Sequence, residues 1–503
     1  MKNVFLFIAV IATSFLNAQN LTDALRYSDQ NIKGTARYRA MSGAFGSLGG
    51  DLSAIQINPA GSSVFLNSYG SLTLSSMRTG NDVFYGNDIT VNDSRHLNFN
   101  QIGAVLIYDQ QDELKKGINK ISFSILYDQT NDFRNYFNAI GESSSSIDRL
   151  FLQAANGLPV QEISVNEGET ISGVYANLGE TRGIDAQNAF LGYETFILEP
   201  NSDNADETAY SSNLAEGSFL QDYIHESSGI GGKLTFNGGL QFNDNFYLGA
   251  NINSHFINYD RVVDYFEENS NNGSEIREIN YVNRLSADGA GLSAQIGAIT
   301  KIGDAFRLGL AFETPTWYVI QEEGTQFIET VNSDNESFAV DPGIINLYPE
   351  YELRTPGSIT ASAAILFGKS GLISVDYSYK DYTDIKFDAD QDNIFAAQNL
   401  AIENNLQAAS TLRLGGEYRI GNWSYRAGYR YQQSPYKNEV IMGDLSGLSF
   451  GMGWDFRKLR FDVAYDTSFR DRSEAFYPNT SFQNAAGIDT YVDQWTFTLG
   501  LNL

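Results

Sequence analysis

The sequence predicts an all-β protein, a transmembrane antiparallel β-barrel of about 14 strands with an N-terminal hatch, or plug, inside the lumen. Three observations predict it. Period-two segments recur along most of the chain, in a composition with 13% aromatic residues and 46 Gly, as strands that face lipid on one side require. Short turns alternate with long polar segments, the layout of a barrel with turns at one rim and loops at the other. After the first segment, no stretch carries 18 consecutive apolar residues, so helical spans are not expected.

Met1 to Ala18 has Lys2, an apolar run from Val4 to Leu16, and Ala18 before the polar Gln19. This pattern predicts a secretory signal peptide over 1–18, too short to cross a bilayer. The absence of Cys excludes a disulfide framework and a lipid-anchored N-terminus. A net charge of -28 with a pI near 4.4 excludes nucleic acid as a partner, because phosphate is repelled.

Residues 19–65 read as a compact unit. Leu21, Ala24 and Leu25 have helical spacing, and a small-residue cluster follows (Gly43, Ala44, Gly46, Ser47, Gly49, Gly50) that lets backbone approach backbone. Asn58-Pro59-Ala60-Gly61 closes the unit, since Pro59 ends a helix and biases Asn58 to extended backbone. The glycines do not follow a strand in the order that cradles phosphate, so close packing explains them.

Residues 66–503 read as the barrel. Leu72 and Leu74 alternate with Ser71, Thr73 and Ser75; Leu97 and Phe99 share a face, but Ile102, Ala104 and Leu106 take the other parity, which predicts a bulge near Asn100 and Gln101. Ile121, Phe123, Ile125 and Tyr127 form a third strand, and residues 129–228 read as a long extracellular insertion. Hairpins follow around Phe242 to Asn245, Ile302-Gly303-Asp304, Gly368 to Gly371, Gly421-Asn422 and Arg457-Lys458. Between them, Arg261 to Asp288, Gln321 to Glu352, Lys386 to Ala408, Ser434 to Leu445 and Asp471 to Thr490 read as outer loops. The last strand puts Trp495, Phe497, Leu499, Leu501 and Leu503 on one face, which lipid would cover.

With the Asn58-Pro59-Ala60 motif and this strand plan, the chain resembles the FadL/TodX family of outer-membrane transporters of long-chain fatty acids and aromatic hydrocarbons. The resemblance implies a fourteen-stranded barrel closed by a hatch that carries the Asn-Pro-Ala motif. It also implies passive uptake of a hydrophobic small molecule, a monomer among outer-membrane lipid and lipopolysaccharide, insertion by the barrel-assembly machinery, and no cofactor, metal or catalysis. The family's lateral opening depends on an inward kink in its third strand, and Ile121 to Tyr127 holds no Pro or Gly to demand one. The alternative is a non-transporting surface barrel, an adhesin or a haem-binding receptor with His225 or His255 as axial ligand.

Candidate ligand residues fall in two groups. Parity turns Arg413, Glu417, Arg419, Arg426, Arg430, Asp455, Arg460, Asp462 and Asp466 into the lumen, as a salt-bridge ladder that rigidifies the wall and anchors the hatch through Asp51. Arg426, Arg430 or Arg413 is the candidate for an anionic head group. In the insertion, Leu150 and Phe151, with Phe190, Leu191 and Phe196, have helical spacing and either pave an apolar groove or cover one another. Gly447-Leu448-Ser449-Phe450-Gly451 matches a nucleophile elbow, but it lies within a strand and every His precedes it. Asp388-Ala389-Asp390-Gln391-Asp392 resembles the start of a calcium loop without its sixth-position Gly.

Overall fold

A computed structural model describes residues 21–29, 32–109, 117–389, 395–456, 458–477 and 479–503. The expected signal peptide, Arg457 of one expected turn, and Asp390 to Asp392 of the acidic run lie outside them.

The hatch comes first: α1 (Leu21–Ser28), α2 (Ala36–Arg39), α3 (Ala54–Ile57) and a 3-10 turn, Pro59–Val64. Thr35 caps α2 by accepting from the Tyr38 amide, and Asn58 caps the 3-10 turn by accepting from Ala60, with Pro59 at the position where a missing N–H costs nothing.

The barrel strands are β1 (Tyr69–Tyr85), β2 (Asp88–Asp109), β3 (Ile118–Asp132) with its continuation β4 (Asn135–Ser143), β5 (Phe219–Phe242), β6 (Phe246–Asn269) and β7 (Ile276–Ile302). Next come β8 (Phe306–Glu313) with β9 (Trp317–Asn332) above it, then β10 (Tyr351–Arg354) above β11 (Ser358–Phe367). Last are β12 (Gly371–Asp381), β13 (Ala408–Ile420), β14 (Trp423–Gln432), β15 (Leu445–Phe456), β16 (Leu459–Ala475) and β17 (Ala485–Asn502). Neighbours pair antiparallel, and β17 returns to β1 from Asn502↔Tyr69 to Gly487↔Phe84, closing a barrel of 14 strands among the described residues. Pro315 and Pro356 interrupt neighbouring strands at one height, since neither can donate to the ladder.

The alternation resolves as expected. Phe497, Leu499 and Leu501 are exposed while Thr496 and Thr498 are buried, and Leu412, Leu414, Phe450 and Trp454 are exposed on their own strands. A closed barrel satisfies its backbone internally and can leave that apolar face to lipid. The predicted bulge is present: Thr73 pairs with Gln101 and Leu74 with Phe99, so Asn100 is skipped.

Several expected loops are strand. β6 and β7 stay paired to Glu268↔Glu278, Gln321 to Asn332 pairs with β7, and Asp471 to Ala475 pairs with β17. Above the lipid the outer face meets water and carries Glu268, Arg277 and Glu278, so the apolar half of the alternation points inward, as Tyr265, Ile279 and Tyr281. The insertion is also shorter than 129–228, because β4 runs to Ser143 and β5 begins at Phe219. Between them α4 (Asp148–Ala155), α5 (Ile171–Thr181) and α6 (Ile184–Glu194) form a cap over these raised strands.

Candidate functional site: hatch, lumenal cavity and a window in the wall

The hatch meets the wall on two sides. On one, wall carboxamides bond hatch backbone. Asn237 Nδ2 donates to Pro59 O (3.0 Å), Asn251 Nδ2 to Ile55 O (2.9 Å) and Gln295 Nε2 to Gln56 O (2.6 Å). Asn58 donates to Gly46 O within the hatch (2.7 Å) and to Ala298 O of the wall (3.0 Å). This approach needs a wall without side chains. Gly239, Gly249 and Gly297 pair directly across β5, β6 and β7, and a Cβ on any of them would collide with Ser62, the Pro59 carbonyl or Asn58 respectively. Ala60 is buried in the same contact, against Tyr247 and Ile299, while Gly61 packs on Gly49 inside the hatch.

On the other side the contact is charged. Arg37 Nε donates to Glu417 Oε2 (3.0 Å), Arg426 Nε donates to the same oxygen (2.6 Å), and Arg426 Nη1 reaches Asp462 Oδ1 (2.7 Å). Arg460 binds Asp462, and Arg39 binds Asp466 at 2.6 Å. Asp376 Oδ2 accepts from the Phe45 and Gly46 amides (2.9 and 2.8 Å), and Ser449 bonds Ser42. The hatch partners of the ladder are therefore Arg37 and Arg39. Asp51 instead accepts from Thr35 Oγ1 (2.7 Å) and the Ser53 amide (3.0 Å) inside the hatch, and burial raises its carboxyl above the usual range although Arg37 opposes this. The positive φ of Gly43, Gly49 and Gly50 lets the hatch chain fold back tightly.

Above the hatch lies a lumenal cavity of about 120 Å³, whose charged lining is Lys33, Lys233, Lys380, Arg413, Asp29 and Glu313. Asp29 accepts from Arg470 at 3.0 Å and Lys380 donates to Ser28 O at 3.3 Å. Four cations against two carboxylates, one already paired, make this pocket electropositive within an acidic protein. Burial pushes the Lys33 ammonium down to about 8, partly opposed by Asp132, while Arg39 lowers it further.

Beside the cavity the wall is incomplete. β2 pairs with β3 only from Gln101↔Asp128 to Asp109↔Lys120. Higher up, β2 stays with β1 to Asp88↔Tyr85, whereas β3 shifts register against β5 between Gln129 and Asn131 and β4 continues along β5. The displaced strand lies toward the lumen, because inward-facing Asn81 donates to Tyr136 O (2.9 Å) and inward-facing Thr90 donates to Asn138 O. The result is a window between β2 and β3, bounded below by Gln101↔Asp128 and above where Gly86 meets Glu142. Gln129 and Thr130 line both the cavity and the window's base. The residues that permit the kink are on the neighbouring strand: Gly229 has φ +108°, and Gly231 and Gly232 face the register shift.

The sequence-selected residues divide accordingly. Arg413 lines the cavity, while its Nη1 bonds Ser378 at 2.8 Å. Arg430 is buried but does not line it. Arg426 is removed from the head-group candidates, because two carboxylates neutralise it in a fully buried site. Lys33, Lys233 and Lys380 were not among the sequence candidates, although the inward parity of Lys233 beside Leu234 and Phe236 was available. Leu150, Phe151, Phe190 and Leu191 are buried in the cap's core, so they pave no open groove. Phe196 is exposed, stacked edge-on against Phe338 at 4.6 Å. His255 bonds Ser293 (2.9 Å) and His225 stacks on Phe137 (4.9 Å), both buried.

No family model matches the sequence, and no curated protein sequence matches it. Solved structures do. A Pseudomonas aeruginosa FadL homologue aligns at TM-score 0.53 and 13% identity, over 94% of this chain and 99% of that one. The P. putida toluene transporter TodX aligns at 0.52 and 12%, over 94% and 99%. A TodX deltaS2S3 mutant, described as a monoaromatic hydrocarbon channel, aligns at 0.51 and 14%, over 94% and 100%. The chain is similar to these over nearly its whole length, and it shares their fold.

Proposed function

We propose that this chain is a FadL/TodX-type outer-membrane channel for passive uptake of hydrophobic small molecules, and that its preferred ligands carry an acidic head group. One observation carries the reading: an electropositive lumenal cavity sits beside a window in the wall, while the hatch beneath it is bonded to the wall on opposite sides. The exterior alternation supports a seat in lipid, and the shared fold supports transport, since two of its neighbours are described as a toluene transporter and a hydrocarbon channel.

The cavity is smaller than the roughly 300–1,000 Å³ of drug-sized sites, so it suits a head group, with the tail left outside it. Lys33, Lys380 and Arg413 would hold a carboxylate by charge-assisted hydrogen bonds. The ligand then leaves sideways through the window into the bilayer and the hatch stays as a floor. No nucleotide or cofactor is needed, because affinity and dilution supply the gradient. The surroundings are outer-membrane lipid and lipopolysaccharide, entered through the barrel-assembly machinery, with the chain working as a monomer.

Native mass spectrometry of the purified barrel tests this. A co-purified fatty acid or similar amphiphile is expected. An empty lumen together with retained protein partners would favour the second reading, an adhesin, for which the folded cap with its own core is the supporting observation.

A further inference from the structure

The window is not simply open. Where the backbone ladder between β2 and β3 ends, side chains span the gap. Asp132 Oδ2 accepts from His96 Nε2 at 3.0 Å and from Asn98 Nδ2 at 2.7 Å, both across the window on β2. Arg134, just beyond Asp132, returns to it through Nε (2.9 Å) and Nη2 (3.0 Å), and also donates to Asn98 Oδ1. One step higher, Asn81 Nδ2 donates to Asn135 Oδ1 and to Tyr136 O, each at 2.9 Å.

Asp132 is nearly enclosed, with 1% side-chain exposure, whereas Arg134 is 33% exposed and so stands at the mouth. On the lumenal side, Lys33 Nζ lies 4.0 Å from Met77 Sδ, and Met77 is the β1 partner of His96. A cavity cation therefore lies one residue pair from the bridge.

We infer that His96, Asn98, Asp132 and Arg134 form a breakable latch across the window, and that a carboxylate ligand arriving from the cavity opens it by competing for Arg134 and Lys33. A backbone ladder could not do this, because parting it exposes N–H and C=O groups to lipid with no replacement. Side-chain bonds can exchange one carboxylate for another. Arg134 releases Asn98 Oδ1 across the window and takes a ligand carboxylate oxygen in its place. The inference rests on the sideways exit proposed above, and it adds that this exit is closed at rest and opened by acids.

The test uses the full chain in lipid nanodiscs, loaded with a fluorescent dodecanoate, and follows release to an external fatty-acid scavenger. The native chain holds no Cys, so Asn98→Cys with Asp132→Cys allows a short bis-thiol cross-link across the window. Cross-linking is expected to slow release at least tenfold and cleavage of the linker to restore it. His96→Ala, which removes one cross-window bond and leaves the ladder intact, is expected to speed release of a neutral alkane-tagged dye about tenfold, the weight of one charge-assisted bond, and to narrow the advantage of dodecanoate over that dye. Asp132→Asn, which keeps the side chain's shape and removes its charge, is expected to act in the same direction. Release slowed by the cross-link but unchanged in His96→Ala and Asp132→Asn would overturn the latch and leave the sideways exit standing. Release unaffected by the cross-link would overturn the exit, and the latch with it.

Discussion

The two sides of the hatch solve one problem with different chemistry. Toward β5, β6 and β7 the contact is neutral: carboxamides meet hatch carbonyls over a row of glycines. Toward β13 to β16 it is ionic, with Glu417 shared between Arg37 of the hatch and Arg426 of the wall. Glycine gives clearance on both sides, since Gly415 and Gly428 make room for Met41 as Gly249 does for Pro59. What differs is the response to damage. A neutral contact weakens bond by bond, whereas losing one member of a buried ion network strands its partner as an uncompensated charge. The ionic side is thus the all-or-none anchor and the glycine row is the fitted seat.

The sharpest way to break this comparison is Glu417→Ala. It leaves Arg37 and half of Arg426 unpaired, and a cost of about 3–5 kcal/mol is expected, read as a lower urea midpoint and faster amide exchange over residues 35–50. Equal loosening around Asn58 and Pro59 would show that the two sides are one unit. Gly297→Ala comes next: its Cβ must displace Asn58 or Pro59, and about 1–3 kcal/mol of overpacking is expected, with faster exchange confined to residues 55–64. Ser449→Ala removes the bonds to Ser42 and should cost only about 1 kcal/mol, in the same urea assay.

The smallest effect is a pH dependence above the hatch. Lys33 has its folded value depressed to about 8, so its buried charge costs stability below that pH. The cost is relieved as pH rises from there toward the ordinary lysine value. Affinity for an anion follows the opposite course, because the charge that attracts it disappears. Dodecanoate binding should fall as pH rises through about 8, the neutral dye should be unaffected, and Lys33→Met should flatten the curve. Isothermal titration across that range checks all three.

Much of this architecture is legible in the residues alone. The skipped Asn100 shows in a parity change between Phe99 and Ile102. The inward set Glu417, Arg426, Asp462 and Asp466 follows from alternation against Tyr418, Tyr425, Phe461 and Tyr465. The raised hairpin of β6 and β7 was harder to see, because above lipid the apolar face turns inward and the exterior looks like a loop. The cap residues Phe151 and Phe190 have helical spacing that suits a groove or a core equally, and only their neighbours decide for the core. The kink in β3 left no mark in residues 121–127, because it comes after them, between Gln129 and Asn131, and the glycines that face it are on β5.

Taken by itself, then, the sequence determined what repeats: period-two alternation, the place where it slips, which side chains turn inward, and the small-residue segment ended by Asn58-Pro59-Ala60. Those are local properties, set by backbone geometry and by the side of the sheet that meets lipid. Which inward Arg is neutralised and which is free, where a strand leaves its neighbour, and that Lys33 stands between the cavity and Asp132 were decided only by the closed barrel. Each of these depends on residues hundreds of positions apart meeting across a lumen, and alternation along one strand carries no information about the strand opposite.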